Sequence, residues 1–92
     1  MPQDVADAAL VAALEVLQRR QEAPAEALAA SRRLLEDADL STDARVVALW
    51  AQGLAERELN RLADAERHLL ESIEVAREAG DEVRVAQVSS AL

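Results

Sequence analysis

His68 is the single histidine of the chain, and there is no cysteine. One imidazole without thiolates cannot complete a zinc shell. The lack of cysteine also removes disulfides, thiolate sites and cysteine nucleophiles. The hydroxyls that could attack a substrate belong to Ser31, Ser41, Thr42, Ser72, Ser89 and Ser90. None of them sits in a glycine-rich elbow or a phosphate loop. His68 lies beside Arg67, on the side of its helix expected to be polar, so it reads as a solvent-exposed histidine. Carboxylates are plentiful: Glu56, Glu58, Asp64, Glu66, Glu71, Glu74, Glu78, Asp81 and Glu82. Paired carboxylates perform acid–base chemistry when their environments differ. Here they alternate with arginine at helical spacing, as in Arg67–Glu71 and Glu74–Glu78 near Arg77. That is the pattern of a solvated helix face whose ion pairs contribute a few tenths of a kcal/mol each. No catalytic, cofactor-binding or metal-ligating residue is expected, and the chain reads as a non-enzyme.

The elements that carry these residues are read from composition and period. Ninety-two residues make one small domain, at which size a single core is marginal and helix packing must be efficient. Apolar residues are 51% of the chain, many of them alanine; Phe and Tyr are absent and Trp50 is the one aromatic. Such a composition packs helices closely and does not suggest a sheet. The net charge of −8 argues against nucleic acid, which needs a cationic face, and against an anionic membrane surface. No run of about 18 apolar residues is present to span a membrane. The first ten residues, MPQDVADAAL, carry no basic leader followed by an apolar stretch. Arginine supplies all ten basic residues, the usage of a GC-rich bacterial genome, and the expected location is cytoplasmic.

Five helices are expected. The first runs from about Val5 to Gln21, capped by Asp4, with Ala6, Ala9 or Leu10, Ala13, Leu14 and Leu17 inward. The second begins at Pro24, a residue favoured at the first helical position, and runs to Asp37 with Ala27, Leu28, Ser31, Leu34 and Leu35 inward. The third runs from Thr42 to Leu59, with Ser41 as its cap and Asp43 in its first turn. The fourth runs from Leu62 to Ala79, with Leu62, Ala65, Leu69, Ile73 and Ala76 on one side. Asn60 stands at the turn between them as an acceptable left-handed residue, and Gly80 suits a left-handed end to the fourth helix. Asp81 can then cap a fifth helix from Glu82 to Leu92.

The stretch from Val46 to Ala79 resembles a tetratricopeptide repeat. Gly53 matches the small residue late in the first helix, Ala65 follows twelve positions on, and Leu69 and Ile73 stand four and eight beyond that. Gln52, Glu56 and Ser72 depart from the pattern at positions usually apolar, aromatic or aliphatic, and alanine. The wider phrasing, GLAERELNRLADAERHLLESIEVAREAGD, is similar to repeats preceding CHAT-type peptidase domains and inside large bacterial regulators. A shift of 38 places Leu10 on Ala48, Ala13 on Ala51, Pro24 on Leu62, Ala27 on Ala65 and Asp43 on Asp81. A period of that size marks stacked helix pairs. The expected fold is therefore all-α, a short right-handed solenoid with units at about 5–38 and 42–80 and a partial third at 81–92. The partial unit favours a piece of a longer protein; the alternative is a last helix that seals the core or pairs with another copy.

The resemblance implies a non-catalytic scaffold that displays a groove to another protein. Trp50, with Val46, Leu54 and Arg57 in one strip, is the candidate partner-binding set, since Trp and Arg are frequent interface anchors. The plainer alternative packs Trp50 between helices. The family's carboxylate-binding clamp is not reproduced by Val47, Trp50, Leu54 and Glu58. An acidic rim would prefer a partner with basic residues. Two further readings stay open: a regulatory segment of a larger CHAT-type peptidase or transcriptional regulator, and a self-assembling domain that forms a homodimer through Val85, Val88 and Leu92 of the fifth helix.

Overall fold

A computed structural model describes residues 7–92. They form five helices, α1 (Ala8–Arg19), α2 (Pro24–Leu35), α3 (Thr42–Glu58), α4 (Leu62–Glu78) and α5 (Glu82–Ser89), with no strand among the described residues. The chain is all-α. The expected cap at Asp4, and Val5 and Ala6 with it, lie outside the described residues. The first helix is capped instead by Asp7, whose carboxylate accepts from the Leu10 N–H at 3.1 Å. The start of α5 is capped in the same way by Asp81, which accepts from the Arg84 N–H. Ser41 caps α3 by accepting from the Ala44 N–H at 3.1 Å. Pro24 occupies the first position of α2, where no donor is required.

Two helix ends close in one way. Asn60 adopts φ +62° and Gly80 φ +73°, and each reverses the chain. After α3 the N–H of Asn60 donates to the Arg57 carbonyl and that of Arg61 to the Glu56 carbonyl. After α4 the N–H groups of Gly80 and Asp81 do the same to Arg77 and Ala76. Carbonyls left free by the helix are thus satisfied at both turns. The fifth helix ends at Ser89, three residues short of Leu92, with the Ala91 and Leu92 N–H groups closing a turn onto Val88 and Ser89.

α3 is the central element, packed against α1, α2 and α4, while α5 packs its backbone against α4. On α3, Gly53 faces Ala65 and Leu69, and Val46 faces Ser72, so α4 runs antiparallel to α3. Ser41 at the start of α3 bonds Asp7 at the start of α1. Asp43 at the start of α3 bonds Arg84 at the start of α5, and Arg57 at its end reaches Ala91 beyond the end of α5. The first, third and fifth helices therefore run parallel. The chain extends 44 Å along its longest axis, against about 25 Å for a 17-residue helix.

Nearly all of the expected apolar stripe is inside. Ala44, Val47, Ala48, Ala51, Ala55 and Ala76 are fully buried, with Leu54, Leu69 and Ile73 beside them. Leu62 is the exception: at the first turn of α4 it is 59% exposed. The uniform shift of 38 holds for the second helices, Pro24 to Leu62. The caps of the first helices, Asp7, Ser41 and Asp81, are instead 34 and 40 residues apart, because α3 and α4 have 17 residues each and α1 and α2 have 12.

A Cβ added at Gly53 would stand 2.7 Å from Leu69 Cγ and 3.1 Å from the Ala65 carbonyl oxygen. Gly53→Ala gains about 1 kcal/mol of helix propensity but overpacks a crossing where a backbone atom cannot yield, a cost of about 1–3 kcal/mol. We expect a net loss near 1 kcal/mol, read as a fall in Tm of about 4–8 °C. An unchanged or raised Tm would show that the crossing has room to spare. A second expectation concerns acid. The Ser41 hydroxyl, and then the Leu10 N–H, hold the Asp7 carboxyl below its ordinary value. A lowered folded-state pKa contributes stability that is fully present above the unfolded value of about 3.9 and is lost as pH falls through the lower folded value. The advantage of the native chain over Asp7→Asn in urea unfolding should therefore be full at pH 7 and disappear in that acid window.

Candidate functional site

Gly53 draws α3 against α4, and one turn later on α3 Glu56 is caught at the junction. Its side chain is 1% exposed. His68 of α4 places Nδ1 2.7 Å from Glu56 Oε1 and retains 17% of its own side-chain surface. A carboxylate only accepts, so Nδ1 donates the hydrogen of this bond. This corrects two expectations: His68 is not a free surface histidine, and Glu56 does not belong to the solvated acidic face. Both were readable in principle. Glu56 stands three residues after Gly53, where the helix needs an apolar residue, and a buried carboxylate requires a partner.

A carboxylate that orients an imidazole is two thirds of a nucleophile-activating relay. The neighbouring hydroxyl is committed elsewhere. Ser72 is fully buried and donates to the Val46 carbonyl at 2.7 Å. No cluster of three or more metal-capable side chains occurs among the described residues. The Glu56–His68 and Ser72–Val46 bonds thus lie on either side of Gly53 and join the same two helices.

The expected groove strip divides between inside and outside. Val46 and Leu54 are core residues, so neither presents an anchor at the surface. Trp50 is half-buried against the same core, as the plainer reading had it, and its Nε1 is buried without an acceptor. Gln52 Oε1 is likewise unpartnered. Arg57 is exposed, and its guanidinium donates to the Ala91 carbonyl. The expected self-association face also turns inward. Val88 is fully buried within the chain and Val85 is half-buried; Leu92, at 59%, is the exposed member.

One functional-looking contact was not anticipated. Arg84 at the first turn of α5 grips the Asp43 carboxylate at the first turn of α3, Nε to Oδ1 at 2.9 Å and Nη2 to Oδ2 at 3.3 Å. The hydrogen bond to Asp43 holds the guanidinium above its ordinary value. The only sequence signal was an acid and a base 41 residues apart, which no local spacing rule links. Open clefts also mark the surface, two of them larger than the rest described. One lies between α1 and α2, as adjoining cavities of about 290 and 310 Å³ that share Ala12, Val16 and Ala30. The other, of about 340 Å³, lies between α4 and α5 and is lined by Arg77, Gly80, Asp81, Glu82, Val85 and Ala86. No described helix is long and apolar enough to cross a membrane.

No protein-family model, curated protein or solved structure matches this chain.

Removal of one member of the buried pair leaves the other polar group desolvated, whereas replacing both removes the need. His68→Ala should destabilise the chain by about 2–4 kcal/mol in urea unfolding, while Glu56→Leu combined with His68→Leu should cost less than His68→Ala alone. A double variant as weak as the single one would mean that the pair itself contributes net stability.

Proposed function

We propose that the chain is a non-catalytic protein–protein interaction module of tetratricopeptide type, a short solenoid acting in a bacterial cytoplasm. The observation that carries this reading is the α3–α4 crossing. Gly53, Ala65 and Leu69, three of the residues on which the family resemblance rests, meet in a contact too tight for a Cβ at Gly53. The parallel succession of α1, α3 and α5, joined start to start, supports stacked pairs as the organising geometry. Stacked pairs offer rigid faces, and a rigid face lowers the ordering cost of binding. The fold does not by itself name a partner. The charge narrows the choice: Glu58, Glu66, Glu71, Glu74 and Glu78 are exposed, so the favoured partner carries basic residues.

A photoreactive amino acid placed at Glu58, at the end of α3, should give a discrete adduct with one protein in the source bacterium. The same probe at Glu71, on the outer face of α4, should give none. Indiscriminate adducts at both positions, or saturable hydrolysis of an ester or peptide by the purified chain, would overturn the reading.

A further inference from the structure

We propose that α5 is a displaceable occupant of a helix-binding seat on α3 and α4, and that the partner is an amphipathic helix carrying the pattern of α5. The proposal deepens the interaction reading above by naming the class of partner, and it rests on that reading. The seat makes three demands on the helix within it. At the first turn, Asp43 takes a guanidinium through two hydrogen bonds from Arg84. In the middle, one side chain, Val88, is fully enclosed. Beyond the last turn, the Arg57 guanidinium takes a backbone carbonyl, that of Ala91. Arg84 and Val88 are four residues apart and Val88 and Ala91 three, so one side of the segment meets all three demands.

α5 is also the least committed helix of the chain. It has eight residues and encloses one side chain, whereas α3 has seventeen residues and lies at the centre of the core. Its backbone packs chiefly on α4, and it reaches α3 mainly through side chains. The Arg57 clasp is exposed and the Asp43 carboxylate is part-exposed, so both are open to screening by salt. Elements with few buried contacts open locally at lower free energy than the core. Trp50 and Leu54 belong to the same apolar cluster as Val88, so departure of α5 uncovers that cluster. A helix with an arginine in its first turn and valine four residues on meets the same carboxylate and the same enclosure. The net charge of −8 favours such a cationic helix over a second acidic copy of the chain.

A seat filled in cis weakens binding in trans by the fraction of time it is empty. The test uses a synthetic peptide of residues 80–92 as probe and the full chain as receptor, read by Trp50 fluorescence and by anisotropy of the labelled peptide. In the variant Val88→Asp a carboxylate replaces the enclosed side chain, which unseats α5. That variant should bind the peptide at least tenfold more tightly than the native chain. A peptide bearing Arg84→Glu should not bind. Hydrogen exchange on the native chain gives an independent reading: the Val88 and Ser89 amides should exchange at least tenfold faster than those in the middle of α3. Equal peptide affinities, or α5 amides as protected as α3, would overturn the proposal, as would loss of all helicity in Val88→Asp. A concentration-dependent dimer of the native chain with exchanged α5 helices would replace the basic partner by a second copy. A specific adduct at Glu58 with no gain in peptide binding would refute the seat while leaving the interaction reading intact.

Discussion

The absence of a side chain at Gly53 sets the distance between α3 and α4, and the rest of the core is built to that distance. A Cβ there would collide with Leu69 and press on the Ala65 carbonyl. Glycine inside a helix costs about 1 kcal/mol relative to alanine, so its place in the middle of α3 needs a compensating gain. The gain is that alanines become sufficient to fill the interior. Ala48, Ala51, Ala55 and Ala76 have no exposed surface, and the described core contains no aromatic ring except the half-buried edge of Trp50. Wider spacing would leave gaps that alanine cannot fill, and interiors lose packing energy steeply with such gaps.

A surface made of alanine is smooth, which creates a second constraint. Sliding α4 by one turn along α3 would exchange one small apolar contact for another. The polar groups are what such a slip would violate. Ser72 would lose the Val46 carbonyl, and Glu56 would be buried without the imidazole of His68. A carboxylate that is 1% exposed and unpaired is far more costly than a mispacked methyl group. Gln52, Glu56 and Ser72, where the chain departs from the tetratricopeptide pattern it resembles, all lie in this interior. Two of them are hydrogen-bonded across the helix pair, so they add direction to a contact that alanine leaves without direction.

Local signals carried most of the fold. Ser41, Asp81, Pro24, Asn60 and Gly80 each act within a few residues of themselves, and each sits in the structure where those short-range rules put it. The inner stripe of α4 was legible for the same reason, except at Leu62, whose first-turn position leaves it exposed. Burial that depends on a distant element was not legible. His68 looked like a surface residue because Arg67 beside it is one, yet its outlook is decided by Glu56 on another helix. Val46, Leu54 and Val88 were placed at a surface by helical period alone, which gives the face of a helix but not what covers it.

The seating of α5 shows how polar ties also direct the first, third and fifth helices. Each first helix is tied to the previous one at its start, but the chemistry differs. Asp7 accepts from the Ser41 hydroxyl, and Asp43 accepts from the Arg84 guanidinium. In both cases the acid belongs to the earlier helix and the donor to the later one. That polarity is common to both ties, although the caps stand 34 and 40 residues apart. A tie made by two charged groups at a part-exposed helix start holds orientation well and holds affinity weakly, because water and salt compete for both partners. Enclosure of Val88 is the one apolar contact that adds to it fully. An element fixed in direction by polar ties and in place by Val88, with Val85 and Ala91 part-buried beside it, is the part of this fold with least to lose by leaving.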